Sequence, residues 1–147
     1  MNKKTLIKES SKDIESVLTQ LPQVECPVHH HFGPGVYIRE CHFPKDTVVI
    51  GHHHNFENLN IMLSGKILLI EAGETKELTA PTIFTAEPGR KIGYALTDVV
   101  WQNIHATEET DLEKIESHFI DKSKKIEDLE KQLKILKESN KISLGGT

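Results

Sequence analysis

The stretch Val48-Val49-Ile50-Gly51-His52-His53-His54-Asn55-Phe56-Glu57-Asn58-Leu59-Asn60-Ile61-Met62-Leu63-Ser64-Gly65 decides how the chain folds. Residues 47–54 and 58–63 read as two short strands separated by polar turn residues. On a strand, residues i and i+2 share a face. Val48, Ile50, His52 and His54 therefore fall on one face, and Val49, Gly51 and His53 on the other. On the second strand Asn58, Asn60 and Met62 lie opposite Leu59, Ile61 and Leu63. Two imidazoles about 7 Å apart along a strand can converge on one ion if the strand curves and a neighbour supplies a third ligand.

The same period extends outward. Segments 35–43, 66–71, 77–78, 82–86, 93–95 and 99–105 also read as strands. Pro44-Lys45-Asp46, Ser64-Gly65, Ala72-Gly73-Glu74, Ala80-Pro81 and Glu87-Pro88-Gly89 punctuate them. Short strands at such regular spacing predict an antiparallel sandwich or barrel.

Both ends change period. Residues 11–21 read as a short helix, capped by Ser11, with Ile14, Val17, Leu18 and Leu21 on one face and Pro22 as its stop. After His105, Thr110 and Glu113 match a capping box. Leu112, Ile115, Phe119, Lys122, Ile126, Leu129, Leu133 and Leu136 follow at alternating intervals of three and four. That seam predicts a long amphipathic helix over 108–140 that self-associates as a coiled coil, giving a homo-oligomer, dimer or trimer. The alternatives are a helix folded back on its own domain, or two helices broken near Asp121-Lys122-Ser123. Residues 141–147 read as a flexible tail. The expected organisation is thus a helical segment at 1–22, a β domain at 23–107, the helix and the tail.

Composition narrows the function classes. The chain has 147 residues and a net charge of −4, with no apolar run near the ~18–20 residues of a membrane span. No apolar stretch follows the first lysines, and no basic excess marks a nucleic-acid surface. Two cysteines, Cys26 and Cys41, without C-x-x-C spacing, read as reduced thiols in a cytoplasmic protein. Nine histidines against two tyrosines and one tryptophan are the unusual entry.

The stretch from residue 48 to 65 resembles the first motif of the cupin family, G-x5-H-x-H-x3-E-x6-G. His52 and His54 match its histidines and Gly65 its closing glycine, but Asn58 stands at the glutamate position and Glu57 lies one place early on the opposite face. In the second motif, G-x5-P-x-G-x2-H-x3-N, Pro88-Gly89 falls in the turn while Ile92 replaces the last histidine. The resemblance covers roughly residues 30–107 and is closest to small single-domain cupins of unassigned activity, some encoded by phages. It implies a mainly β fold: a cupin-type, jelly-roll-like antiparallel β-barrel between a short N-terminal and a long C-terminal helix. It also implies a divalent metal, Zn²⁺, Fe²⁺, Mn²⁺ or Ni²⁺, held by His52, His54 and Asn58. His105, on a face with Trp101 and Asn103, is the best substitute for the missing ligand, with His31 and His42 as others in reach.

The remaining histidines read otherwise. His29-His30-His31 sits beside Pro27 and Pro34 as a solvated loop cluster, His53 faces away from its neighbours, and His118 lies on a helix surface. Tyr37 and Arg39 share a strand face, and an inward arginine must find an anion. It serves either as an anion clamp for a ligand or in a structural pair with Glu40 or another acid. Asn60 joins them as a ligand contact. Tyr94 and Trp101 either stack on a planar ligand or belong to the core. Arg90 and Lys91 read as solvated. Three function classes follow: a small-polar-ligand binding module, a metal-dependent enzyme of oxygenase, isomerase or lyase type, and a structural or assembly protein, virion-associated if the chain is phage-encoded.

Overall fold

The computed structural model describes residues 15–71, 74–122, 131–132 and 135. They belong to two compact units, one formed by Cys26–Asp121 and one by the terminal segments 1–25 and 122–147. In the terminal unit residues 15–18 are helical. Gln23 Nε2 donates to the carbonyls of Leu18 (2.9 Å) and Leu21 (2.8 Å). This side-chain amide takes carbonyls that a helix end leaves open, so the helix stops before Leu21. Ser11 and Ile14 lie outside the described residues.

The unit Cys26–Asp121 contains strands β1 (Val28–Gly33), β2 (Val36–Phe43), β3 (Val48–Ile50), β4 (His53–His54), β5 (Asn58–Ser64) and β6 (Lys66–Glu71). Strands β7 (Glu74–Thr79), β8 (Thr82–Ala86), β9 (Ile92–Ala95) and β10 (Val99–Ala106) follow, then helix α1 (Leu112–Phe119) and β11 (Ile120–Asp121). They form a five-stranded sheet, β1-β2-β10-β5-β8, a four-stranded sheet, β3-β9-β6-β7, and the small ladder β11-β4. Every pairing is antiparallel. A chain that repeatedly crosses between two such sheets has the order of a jelly roll.

The expected closed barrel is not formed. Among the described residues no ladder joins the two large sheets. The chain crosses between them through tight turns instead. At Gly65, the single residue between β5 and β6, φ is +93° and a Cβ would run into the Asp98 carbonyl. A turn that sharp changes sheet without bending the ladder across.

Met62, Ile67, Leu69, Ala95, Val99 and Trp101 fill the space between the two inner faces. Along β10 the alternation is regular: Val99, Trp101, Asn103 and His105 are buried while Val100, Gln102 and Ile104 are half-buried on the outer side.

Residues 29–31 are not a loop. They lie in β1, paired with β2 through the turn at Pro34-Gly35, where Gly35 has φ +71°. Their imidazoles hide the period because polar rings occupy both faces. Strand β7 extends well beyond 77–78, since an exposed edge strand tolerates the charges in Glu74-Thr75-Lys76-Glu77.

The single helix expected over 108–140 is also corrected. Helix α1 ends at Phe119, and Ile120 is extended (φ −132°, ψ 151°). The chain then pairs Ile120 with His54 and Asp121 with His53. Ile115, a seam residue, is 3% exposed within its own domain. The cap is Asp111 rather than Thr110: its carboxylate accepts from the amides of Glu113 (2.9 Å) and Lys114 (3.4 Å). Glu109 Oε1 takes the amides of Thr110 and Asp111. Beyond Lys122, Lys131, Gln132 and Ile135 are helical. Ile126, Leu129, Leu133, Leu136 and the tail 141–147 lie outside the described residues. No helix among the described residues is long and apolar enough to cross a membrane.

Candidate functional site

A cavity of about 240 Å³ opens between the inner faces of the two sheets. Strand periodicity decides its lining. From β2 it receives Tyr37, Arg39 and Cys41, from β5 Asn58 and Asn60, and from β10 Trp101, Asn103 and His105. The facing wall is apolar, with Val49, Ile50, Ile67, Leu69 and Gly93. His52 and His54 enter at one end. The cover is α1, through Ile115, Glu116 and Phe119.

An amide network forms the floor. Asn60 Oδ1 accepts from Trp101 Nε1 (2.7 Å) and Asn103 Nδ2 (2.6 Å), while Asn60 Nδ2 donates to Asn58 Oδ1 (2.6 Å). Asn58, Asn60 and Asn103 are all buried, and buried amides need such partners. The asparagine at the family's glutamate position is therefore tied into the floor, and Glu57 is exposed.

The two imidazoles of His54 and His105 stand face to face, ring centres 6.1 Å apart and 14° from parallel. The Tyr37 ring is also near parallel to His105, centre to centre 6.0 Å, and Phe119 of the cover tilts against His105 at 4.4 Å. Burial pushes His54 down to about 4, with the neighbouring His105 adding to the shift. Burial and then the Arg39 charge push His105 to about 4 as well. At neutral pH both rings are uncharged. Burial raises the Tyr37 phenol to about 12, so it keeps its proton. Its hydroxyl shares a 2.6 Å hydrogen bond with His30 Nδ1.

Arg39 points inward. Among the described residues its hydrogen-bond partner is Cys41 Sγ, at 2.8 Å. The pairing with Glu40 does not occur, because Glu40 lies one residue on and so on the outer face, where it bonds His42 and Gln102. Burial pushes the Cys41 thiol up, away from the thiolate a nucleophile needs.

Of the residues singled out from the sequence, His52, His54, His105, Asn58, Tyr37, Arg39, Asn60 and Trp101 all line this cavity. Tyr94 does not. It follows the inward Gly93, so the period turns it out, 37% exposed and donating to Asp46 Oδ1. Lys91, expected in solvent, lines the cavity, as do Glu116 and Phe119. The i, i+4 pair Ile115 and Phe119 was the available signal for the cover, yet it fits a partner helix equally well. His30 was missed with the strand that carries it.

The metal set implied by the resemblance fits poorly. Among the described residues, the group whose ligand atoms all lie within 4.8 Å of one another is His29, Glu40 and His42, on the other side of the sheet. The cavity imidazoles form no such group, and their neighbour at the carboxylate position is a neutral amide committed to the floor.

No family model matches the sequence, and no curated protein matches it. In structure the chain is similar to a cupin superfamily protein from Desulfitobacterium hafniense, at 10% identity and TM-score 0.48, covering 63% of this chain and 87% of that one. It is similar to a cupin domain from Bordetella pertussis at 17% identity and TM-score 0.46, over 59% and 98% of the two chains. A third similar structure is an RmlC-like cupin family protein with a double-stranded β-helix fold from Methanocaldococcus jannaschii, at 15% identity and TM-score 0.47, over 57% and 82%. The strand order of the two sheets is by itself that of a double-sheet jelly roll, the architecture in which cupins are found.

Proposed function

We propose that this cupin-like domain binds a small, planar organic anion, with Arg39 as its anchor. The observation that carries the reading is the inward guanidinium, bonded among the described residues to a thiol rather than to a carboxylate. A half-buried guanidinium with five N–H donors has room for a further acceptor, and a carboxylate offers it a matched bidentate one. Lys91 adds positive charge to the lining. The neutral rings of His54 and His105 and the Tyr37 hydroxyl supply donors and acceptors that orient the rest of the molecule, and Ile67 and Leu69 provide a flat apolar wall. At about 240 Å³ the space is below the ~300–1,000 Å³ of drug-sized sites, which favours a small metabolite.

Calorimetric titration of the full chain with acetate, oxalate, malonate, benzoate and phosphate tests this. Saturable binding by at least one carboxylate is expected. Arg39→Met should weaken it by roughly 10–100-fold, the worth of a charge-assisted hydrogen-bond pair. Absence of binding by all five, or full affinity in Arg39→Met, defeats the reading. The metal-dependent enzyme reading needs three donors gathered in the cavity, and the ring positions do not favour it.

A further inference from the structure

We propose that the outer face of the five-stranded sheet carries a divalent-metal site of the Zn²⁺ class, held by His29, Glu40 and His42. The site lies on the opposite side of β2 from the anion cavity and is independent of it.

Strand pairing builds the site. His29 of β1 is directly opposite Glu40 of β2, and His42 follows two residues on, so all three project from the same face. One ligand atom from each lies within 4.8 Å of the others. Small rotations about the side chains close that spacing to the geometry of nitrogen and oxygen donors about 2.0–2.2 Å from one ion. Two imidazoles and one carboxylate form a borderline donor set that suits Zn²⁺ and neighbouring first-row ions over Mg²⁺ or Ca²⁺.

Three further features support a metal over an ordinary surface pair. Gln102 of β10 donates to Glu40 Oε1 at 2.7 Å and fixes the carboxylate from behind, the outer support that metal ligands characteristically have. The other oxygen, Oε2, is 2.8 Å from His42 Nε2, a contact in which an ion can replace the shared proton. The His29 imidazole forms no hydrogen bond among the described residues, its backbone being paired in the β1–β2 ladder. Its ring meets His42 edge-on at 5.0 Å, which leaves its nitrogens available to a ligand. A fourth donor is also at hand, since His31 Nε2 lies 3.5 Å from Glu40 Oε1. All three ligands sit on strands rather than a loop: Glu40 and His42 on the interior strand β2, braced by Gln102 of β10, and His29 on the edge strand β1.

The test is titration of the chelator-treated full chain with ZnCl₂ and, separately, MgCl₂. One equivalent of Zn²⁺ and no saturable Mg²⁺ binding are expected. His29→Ala and His42→Ala should each lower Zn²⁺ affinity at least about tenfold, and Gln102→Ala should lower it less. His54→Ala should leave it unchanged. His29 is exposed on an edge strand, so its replacement keeps the sheet paired, and circular dichroism checks that each variant is folded. With Co²⁺ as probe, visible absorption from a nitrogen- and oxygen-bound ion should appear in the parent chain and vanish in His29→Ala. No Zn²⁺ uptake, uptake unaffected by His29→Ala and His42→Ala, or loss on His54→Ala instead would each overturn the proposal.

Discussion

At the scale of single residues, the cavity is a place where charge is unwelcome unless it is matched. His54 and His105 hold folded-state values near 4, chiefly through burial. An unfolded imidazole titrates near 6.5. Below that value the unfolded chain binds more protons than the folded one, so the stability these rings contribute is complete above about pH 6.5 and drains as pH falls toward 4. The groups lining the cavity with them are Tyr37, Arg39, His52, Lys91 and the Glu116 carboxylate of the cover, and burial outweighs that one carboxylate at both rings. The upper bound is on the order of 3 kcal/mol per ring. Thermal melts at pH 7.5, 6.0 and 4.5 should therefore fall in Tm, and His54→Asn/His105→Gln should flatten the drop between 6.5 and 4. An unchanged slope in the double variant would remove these rings as its cause. The floor is equally exacting. Asn60→Ala strips Trp101 Nε1 and Asn103 Nδ2 of a shared acceptor. Two buried donors left without it should cost about 2–4 kcal/mol by urea unfolding, whereas Asn55→Ala, which removes one 3.3 Å bond to the His118 carbonyl at a half-buried position, should cost less.

At the scale of elements, two positions control how the chain changes direction. Gly65 turns β5 into β6 with a positive φ and with the Asp98 carbonyl where a Cβ would sit. Gly65→Ala has to pay both the left-handed backbone and the displacement of Asp98. A loss of at least about 2 kcal/mol is expected in denaturant unfolding, against a smaller loss of about 1 kcal/mol at Gly89, where a Cβ meets nothing within 4 Å and only the strain of φ +132° remains. Asp111 starts the cover helix by accepting two amides, and Asp111→Ala should cost about 1 kcal/mol. What the sequence made legible follows from the same physics. Strands β2, β5 and β10 could be read because each faces the core on one side and alternates, and their inward residues named six members of the cavity, Tyr37, Arg39, Asn58, Asn60, Trp101 and His105. Strand β1 could not, because His29, His30 and His31 fill both faces at its centre and interrupt the inward pair Val28 and Phe32. Tyr94 was misjudged by one residue of register, since Gly93 holds the inward place and has no side chain to reveal it. The cover helix was visible as a helix, but a stripe of Leu112, Ile115 and Phe119 does not say whether it meets its own sheet or another chain.

At the scale of the whole molecule, the compact unit runs to Asp121 and takes α1 for its own cavity, which changes what is left for association. Ile115 and Phe119 are already used. The three-four repeat that remains in the sequence is Ile126, Leu129, Leu133 and Leu136, a span of 11 residues. Isolated helices below ~12–15 residues are marginal, and a seam of that length adds few buried leucines. Self-association through it should therefore be weak and concentration-dependent rather than obligate. Light scattering coupled to size exclusion should show the mass of the full chain rising from monomer toward dimer or trimer with loading. Leu129→Glu/Leu133→Glu puts two charges on the seam and should hold the chain monomeric at every loading, while carboxylate binding, which depends on residues before Asp121, stays as in the parent. A mass independent of concentration in the parent chain, or association that survives both glutamates, would place any oligomer contact elsewhere on the molecule.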